Sequence, residues 1–351
     1  MRVFLFLILI LTTTSCQQAP REYKQTLLIF GTLINVTLWD VEPARAEKAI
    51  ADIRKDLEFM HEVWHPWQRG PLGRTNELLA TTGWFSFNPS VMSLIYKGTE
   101  LSEASEGLFN PAIGRLIKLW GYHSDTPPSG PPPPFEDIAT LLAENPQMSD
   151  IEVKGIRIRS RNPAVSLDFG AIAKGLALDR LMRHLKNSGI DNAIINAGGD
   201  LKVIGKHGQR PWRVGIRHPR PPEDDQGKVL AALDVNDGES VFTSGDYERY
   251  YDYQGRRYHH IIDPRTGYPA DKTTSVTVIH PSATTADAAA TALFVAGPEA
   301  WIRIAKKMGL KYVMLVDKAG QIYMSPAMAA RLEFTDAAIP PGHKPILSPP
   351  L

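Results

Sequence analysis

Two adjacent histidines, His259 and His260, close an apolar, strand-like run, and the rigid turn DPRTG at residues 263–267 follows within three residues. Neighbouring side chains of a strand point to opposite faces, so only one of the two imidazoles can face a given cavity. A histidine held by a strand beside a rigid turn is preorganised, as a general base must be. The pattern therefore predicts one catalytic base here, with the other histidine in the core or at the surface.

An alanine-rich segment, TTADAAATALFVAG at residues 284–297, carries a second set of candidate residues. Its alanines favour a helix, in which Asp287 and Thr291 lie one turn apart on the same face. A carboxylate and a hydroxyl are oxygen donors of the kind that Mg²⁺ prefers. The alternative is structural, since a negative charge is also favourable near the start of a helix. This segment alone favours the structural interpretation.

A third segment joins a strand that ends in Asp168 to a helix that begins between Ala171 and Lys174. Gly170 allows the tight turn, and free N–H groups at the helix start can bind an anion, to which Lys174 adds positive charge. Phosphate is the natural ligand, although turns of this kind are often only structural. The spacing matches neither a P-loop nor a G-x-G-x-x-G fingerprint.

The elements that must position these groups alternate without the strict βαβ order of a doubly wound sheet. The patterns predict a strand pair or one bent strand at 26–39, helices at 43–64 and 89–105, β segments and a helix through 151–205, β segments through 230–279, and helices at 283–296 and 298–308. The glycine pair in NAGGDL, within the region 151–205, predicts a hairpin turn. Proline-rich segments at 127–134 and 218–227 are expected as surface insertions. The predicted fold class is therefore α+β.

The composition is that of a globular protein with a substantial core. The chain has 351 residues, 43% of them hydrophobic and 22% charged. A formal net charge of +1 gives no basic face of the kind that bulk nucleic-acid binding needs, so we expect no nucleic-acid partner. A single cysteine, Cys16, excludes a disulfide within the chain.

The first residues are typical of an export signal. Arg2 precedes an apolar run at 3–11 that is too short to span a bilayer, and small polar residues then lead to Cys16. This resembles a bacterial lipobox, with Thr13 where leucine is usual; an ordinary secretory signal is the alternative. We predict a lipoprotein signal peptide at 1–15, lipid on Cys16, a linker at 16–24, one domain at 25–330 and a tail at 331–351. The lipid would hold the domain at a membrane surface.

Taken together, six segments resemble the ApbE family of FAD:protein FMN transferases. They are EGLFNPAIGRLIKLWG (106–121), LDFGAIAKGLALDR (167–180), NAGGDL (196–201), TSGDYERYY (243–251), HHIIDPRTGYPA (259–270) and ATTADAAATALFVAG (283–297). They occur in the family's order and cover roughly residues 25 to 325, although each motif alone is weak. The resemblance implies a single compact ApbE-like fold, with mixed sheets flanked by helices.

The resemblance also implies an activity and a set of site residues. Members of the family bind FAD and Mg²⁺, transfer FMN to a Thr or Ser hydroxyl of a partner protein, and release AMP. The matching positions here are His260 for the catalytic base, the backbone oxygen of Ala171 with Asp287 and Thr291 for the metal, and Asp168, Lys174, Gly107, Leu108, Phe109 and Ile261 for FAD. A histidine titrates near neutral pH, so we expect the transfer rate to rise with pH through its pKa.

Two positions depart from the family pattern. Asn110 stands where many members have Asp, and Trp67 stands near a position that is aromatic and often Tyr in the family. Neither departure removes a metal ligand or the base. Both affect the expected details of flavin contact.

The resemblance further implies where and on what the protein acts. We expect it on the periplasmic side of a bacterial membrane, with acceptors such as a subunit of the Na⁺-pumping NADH:quinone reductase or of the Rnf complex. Two alternatives stay open: an FAD pyrophosphatase that gives FMN and AMP, and a periplasmic lipoprotein that binds FAD without catalysis. The presence of Asp287, Thr291 and His260 argues against the second. The sequence does not separate transferase from pyrophosphatase, because both need the same metal and base.

Overall fold

The predicted α+β class is confirmed by a computed structural model, which describes residues 22–124, 126, 128–221, 229–335 and 344–351. The helices are α1 (Pro43–Trp64), α2 (Pro71–Leu79), α3 (Pro89–Ala104), α4 (Gly114–Leu119), α5 (Phe135–Ala143), α6 (Ala173–Asn187), α7 (Ala283–Lys307) and α8 (Pro326–Ala329). The predicted signal peptide, Cys16 and most of the proline-rich segment at 218–227 lie outside the described residues.

The strands are β1 (Glu22–Ile29), β2 (Thr32–Trp39), β3 (Phe85–Ser86), β4 (Ile151–Lys154), β5 (Arg157–Ser160), β6 (Ala193–Ala197), β7 (Asp200–Ile204), β8 (Trp212–Arg217), β9 (Val229–Val235), β10 (Ser240–Gly245), β11 (Tyr250–Tyr253), β12 (Arg256–His259), β13 (Thr273–His280), β14 (Tyr312–Asp317), β15 (Ile322–Met324), β16 (Glu333–Phe334) and β17 (Ile346–Leu347). Nine of them form the main sheet, in the order β1-β2-β6-β7-β10-β13-β14-β15-β17. Neighbours in this sheet are antiparallel except for β15 and β17.

The main sheet separates two hydrophobic cores. On one face it carries α1, α6 and α7; on the other it packs on the small sheet β16-β9-β8. β7 shows the division, because Leu201 and Val203 face the small sheet while Asp200 and Lys202 lie on the helical side. Two polar side chains of β7 are thereby buried among helices, where each needs a partner.

The N-terminal segment at 26–39 is a strand pair, which decides between the two possibilities that the sequence left open. β1 and β2 pair from Glu22↔Trp39 to Ile29↔Thr32. The turn between them places Phe30 and Gly31 at φ 58° and 68°, both in the left-handed region that a tight two-residue hairpin turn requires. β1 begins at Glu22, three residues before the predicted domain start.

The alanine-rich helix α7 contains both helical segments that the sequence predicts. Ser282 caps it, with its side chain accepting from the N–H of Thr285 at 3.1 Å. Gly297, at φ 68° and ψ 179°, and Pro298 interrupt it and divide the helix near the predicted break. Its first half packs on β10 and β13, at the centre of the main sheet.

The predicted C-terminal tail contributes to the sheets where it is described. β16 pairs with β9, and β17 pairs with β15 at the edge of the main sheet. Residues 128–134 of the first proline-rich segment form neither helix nor strand, in agreement with the expectation from the sequence. None of the helices in the described part of the chain has the length and apolarity that a bilayer crossing requires.

Candidate active site

One cavity of about 800 Å³ gathers nearly all of the predicted site residues. Those that line it are Leu108, Phe109, Asp168, Ala171, Lys174, His260, Ile261, Asp287 and Thr291. Gly107 is the exception: it is not among the lining residues, and its φ of 76° gives it a role in the turn before Leu108. The expectation that Gly107 contacts the ligand stays a prediction.

Oxygen donors from α7 and from the start of α6 meet on one side of this cavity. Asp287 is buried, and its Oδ2 accepts from the N–H of Gly175 at 2.9 Å. Thr291 lies one turn further along α7, where its Oγ1 is 3.2 Å from Oγ of Ser244 on β10. Ala171 lies just before α6. We define the oxygen-lined wall as six residues: Ala171, Asp287 and Thr291, together with Lys174, Asp200 and Ser244.

The donor set of this wall fits a hard divalent cation. Asp287, Thr291 and the carbonyl oxygen of Ala171 offer one carboxylate, one hydroxyl and one backbone carbonyl, and Mg²⁺ typically combines such few oxygen ligands with water and substrate phosphate. Within the described ranges there is no cluster of three His, Cys, Asp or Glu residues that could hold a metal. Burial raises the pKa of Asp287 to about 7, although Lys174 partly offsets the effect. A bound cation would stabilise this buried carboxylate.

Lys174 is held by a partner that the sequence did not identify. Its ammonium forms an ion pair with Oδ2 of Asp200, whose Oδ1 accepts from the N–H of Thr243 at 2.9 Å. Burial alone would lower the pKa of Lys174, but the carboxylates of Asp200 and Asp287 outweigh it and raise that pKa. Lys174 is therefore permanently charged at physiological pH.

Asp200 lies directly after the predicted hairpin turn of NAGGDL. That turn is present, with Gly198 and Gly199 at φ 66° and 107°. Local sequence accounts for the turn but not for the contact, because Asp200 reaches Lys174 only through the packing of α6 on β7. Ser244 was overlooked for a similar reason: it lies in the motif TSGDYERYY, and only the packing of α7 on β10 brings it to Thr291.

Asp168 lies at the turn that leads into α6. Its Oδ1 accepts from the N–H of Gly170 at 2.7 Å, which closes the turn that the sequence predicts. Burial raises the pKa of Asp168, and this hydrogen bond and the charge of Arg249 offset only part of the effect. The carboxyl group therefore lines the cavity with a reduced tendency to ionise.

The two histidines face opposite ways, as strand alternation predicts. His260 lines the cavity, and His259, which is buried, does not. The backbone N–H and Nδ1 of His260 lie 3.1 and 3.2 Å from the carbonyl oxygen of Arg249. A carbonyl can only accept, so Nδ1 carries the proton and Nε2 is left free to take one.

Burial, followed by the neighbouring charges of His259 and Arg249, lowers the pKa of His260 to about 3. The imidazole is therefore neutral throughout the physiological pH range. This lowered pKa replaces the near-neutral value on which the expected rise of the rate with pH rests, and the pH dependence of the rate itself stays a prediction. The sequence could not reveal it, because desolvation depends on tertiary packing.

His259 is held in the protein interior by hydrogen bonds and ring packing. Its Nε2 donates to the carbonyl oxygen of Ala270 at 2.8 Å, and its Nδ1 accepts from the N–H of Ile261 at 3.3 Å. Its ring packs edge-on against Phe294 at 5.4 Å between centroids. Burial lowers its pKa to about 4, so this ring too is neutral. His259 thereby connects the end of β12 to Ala270, which follows the DPRTG turn, and to α7.

Aromatic rings line another part of the cavity, and we call them the aromatic rim: Phe30, His61, Trp64, Trp67 and His123. Phe30 stacks on Trp64 at 6.5 Å and meets the edge of His61 at 5.5 Å. Trp67 meets His123 edge-on at 6.1 Å. Gly31, beside Phe30, both lines the cavity and is exposed, so the cavity reaches solvent next to Phe30.

Asn110 lies in the cavity wall near Phe109 and has a structural task. Its Nδ2 donates to the carbonyl oxygen of Pro146 at 2.9 Å, while its Oδ1 accepts from the N–H of Ala112 at 3.0 Å. An ionised Asp could make only the second contact. The departure from the family pattern at this position thus adds a link between two loops.

The chain matches known proteins over most of its length. Residues 30–314 match the sequence model of the ApbE family. A protein of Rhodobacter capsulatus named FAD:protein FMN transferase is 43% identical over 319 residues, which are 91% of this chain but 60% of that protein. A Klebsiella pneumoniae protein of the same name is 37% identical over 80% of this chain and 84% of its own length.

A solved structure has the same fold. The ApbE protein of Thermotoga maritima superposes with a TM-score of 0.79 at 31% identity, over 89% of this chain and 99% of that one. The cavity lies within the matched region of the sequence, since its lining residues run from Phe30 to Thr291.

Proposed function

This chain belongs to the ApbE family, and from that premise we propose that it is an FAD:protein FMN transferase that uses Mg²⁺. It moves FMN from FAD to a Thr or Ser hydroxyl of a partner protein and releases AMP. One observation carries the proposal: a single cavity is lined by the oxygen-lined wall, by Lys174 in its ion pair with Asp200, and by His260, whose Nδ1 is engaged with the carbonyl oxygen of Arg249. Phosphoryl transfer needs positioning and charge neutralisation of this kind.

The reaction exchanges one P–O bond for another. The acceptor hydroxyl oxygen attacks the FMN-side phosphorus of the FAD pyrophosphate, and the bond from that phosphorus to the bridging oxygen breaks, so that AMP leaves. His260 Nε2 takes the hydroxyl proton. Because its pKa is low, His260 is neutral and ready at physiological pH, and it accepts the proton as the new P–O bond forms.

The wall stabilises the charge that the reaction redistributes. Lys174 lies on the cavity side, and its ammonium can contact phosphate oxygens. Ala171 O, Asp287 and Thr291 would hold Mg²⁺, which offsets the negative charge of the pyrophosphate when bound. Asp200 fixes Lys174 in this position through an ion pair.

The test is mass spectrometry of a candidate acceptor after incubation with the full chain, FAD and Mg²⁺. Subunits of the Na⁺-pumping NADH:quinone reductase and of the Rnf complex are the candidates that the family suggests. A gain of one FMN on a Thr or Ser, which is lost with His260→Ala, supports transfer. Release of free FMN and AMP at the same rate with and without acceptor, and no modified acceptor, would instead identify a pyrophosphatase.

We further propose that the mature protein acts on the periplasmic side of the membrane, anchored by lipid on Cys16. The signal-like N-terminus supports this location. Cys16→Ser should abolish labelling by a radioactive or clickable fatty acid and release the protein from the membrane fraction. Lipid on the variant, or wild-type protein that is found only in the soluble fraction, would contradict the anchor.

A further inference from the structure

Two ion pairs join helix α6 to strand β7. The positive charge lies on α6 in the first pair and on β7 in the second. Lys174 of α6 pairs with Asp200 of β7, and Asp179 of α6 pairs with Lys202 of β7, where Nζ and Oδ1 are 3.1 Å apart. The first pair belongs to the cavity, whereas neither member of the second lines it. The Lys202 and Asp179 side chains are only 10% and 16% exposed, so this ion pair lies largely in the interior.

Asp179 also binds the first turn of another helix. Its carboxylate accepts from the N–H groups of Ala283 and Thr284, each at 3.0 Å, and from the hydroxyls of Thr284 and Ser282 at 2.6 and 3.2 Å. Free N–H groups at a helix start require such acceptors. Burial alone would raise the pKa of Asp179, but Lys202 and the donors of Thr284 and Ala283 lower it, so the group is charged.

Three further contacts hold the same corner. Lys202 donates to the carbonyl oxygen of Gly238 at 3.0 Å and to that of Pro281, in the loop that leads into α7. One turn before Asp179, Gly175 allows close contact between α6 and α7, because a Cβ there would lie 2.3 Å from the carbonyl oxygen of Ala283. The start of α7 is thus fixed against both α6 and β7.

We propose that Asp179, with Lys202, is a positioning pair that places the ligands on α7 opposite Ala171 and so sets the affinity of the site for Mg²⁺. The inference rests on the proposed function, which supplies the metal. The donors come from two helices: Ala171 precedes α6, while Asp287 and Thr291 lie on α7. Their distances therefore depend on how the two helices are locked together, and Asp179 forms that lock one turn before Asp287.

The test is calorimetric titration of Mg²⁺ into the full chain saturated with FAD, for wild type and Asp179→Asn. The amide matches the carboxylate in size but loses its charge and one of its acceptor oxygens. We expect the Mg²⁺ dissociation constant to rise by roughly tenfold or more, the range found when residues that orient metal ligands are replaced. FAD affinity in EDTA, measured by flavin fluorescence, should change by less than about twofold, since Asp179 lies outside the cavity.

Two controls separate positioning from other effects. Asn88→Ala removes the side-chain cap of α3, which makes no contact with Asp179, and should lower the melting temperature with little change in Mg²⁺ affinity. The double variant Asp179→Asn with Lys202→Met keeps the local net charge of the pair at zero. The double variant should bind Mg²⁺ as weakly as Asp179→Asn does. Recovery of wild-type affinity would show that the single variant loses Mg²⁺ affinity through its change in net charge, and it would overturn the inference.

The remaining outcomes are also decisive. If Asp179→Asn does not fold, Thr284→Val removes one hydroxyl link to Asp179 and should still weaken Mg²⁺ binding severalfold. Unchanged Mg²⁺ affinity in a folded Asp179→Asn, or an equal loss in Asn88→Ala, overturns the positioning role and leaves the proposed activity intact. Wild-type protein that binds no Mg²⁺ overturns the metal site itself, and the inference with it.

Discussion

The oxygen-lined wall and the aromatic rim share one cavity but are built differently. The wall is carried by α6, α7, β7 and β10, near the centre of the fold, and each of its charged groups has a fixed partner such as Gly175 N–H or Asp200. The rim is carried by the β1–β2 turn, the end of α1 and two loops. Its rings are positioned by stacked and edge-to-face contacts with one another.

The difference reflects the physics of the two tasks. A charge that stabilises a transition state must be placed accurately, because it acts only where the reacting charge develops. Ring stacking gains most of its energy from contact area and tolerates small displacements. Substitutions in the wall should therefore reduce turnover, whereas substitutions in the rim should reduce ligand affinity.

The largest effect is expected from Asp287→Ala in the wall. Mg²⁺-stimulated FMN transfer should fall by at least about 10³-fold, because even a neutral donor at such a position is worth about 10²–10³-fold. The metal-free melting temperature should stay the same or rise, since burial disfavours this carboxylate and alanine suits the helix. Undiminished turnover at limiting Mg²⁺ would remove Asp287 from the metal site.

A large effect is also expected from His260→Ala, with His259→Ala as its matched neighbour. Loss of the base should lower single-turnover transfer by about 10²–10⁴-fold at saturating FAD while FAD affinity changes little. His259→Ala should instead cost about 2–4 kcal/mol of unfolding free energy, through a cavity and two lost hydrogen bonds, and leave the rate of folded protein near normal. The opposite pattern would assign the base to His259.

A moderate effect is expected from Trp67→Ala in the rim. Loss of a stacking surface should weaken FAD binding by roughly tenfold and leave the rate at saturating FAD within about threefold. Trp84→Ala is the matched control, because Trp84 lies under Lys154 and Arg159 and does not line the cavity. Equal losses in both variants, or a rate loss without an affinity loss in Trp67→Ala, would break the division between wall and rim.

The smallest effects are expected from pH. With Mg²⁺ saturating, the rate should be flat between about pH 5.5 and 8, because His260 stays neutral well above its pKa of about 3. The apparent Mg²⁺ affinity should increase as pH rises through about 7, since Asp287 must lose its proton to bind the metal. A sigmoidal rise of the Mg²⁺-saturated rate near pH 6.5 would show that His260 titrates in the usual range.

The paired histidines contribute to stability with a definite sign. Burial lowers the folded-state pKa of both His259 and His260 below the unfolded value near 6.5, so only the unfolded chain gains protons as the pH falls below it. Their contribution to stability is complete above about pH 6.5 and is lost progressively towards pH 3–4. Replacing either histidine should therefore flatten the acid limb of the unfolding curve.

The sequence by itself determined the helix that carries Asp287 and Thr291, the glycine turn between Asp168 and the start of α6, and that only one of the two adjacent histidines faces the cavity. These follow from local rules: the helical repeat, alanine propensity, the strand period and the glycine at a turn. The order of six motifs also determined the family. Apart from the family, each of these properties depends on residues that are close together in the chain.

Only the tertiary structure decided the partners and the protonation of these groups. Asp200 meets Lys174 across 26 residues, and Asp179 caps a helix that begins 104 residues later. The low pKa of His260 arises from desolvation, and its tautomer from a carbonyl 11 residues away. Strand order and helix packing fix these contacts, and burial fixes the electrostatics; neither is encoded in local spacing, because both depend on segments that meet only when the chain folds.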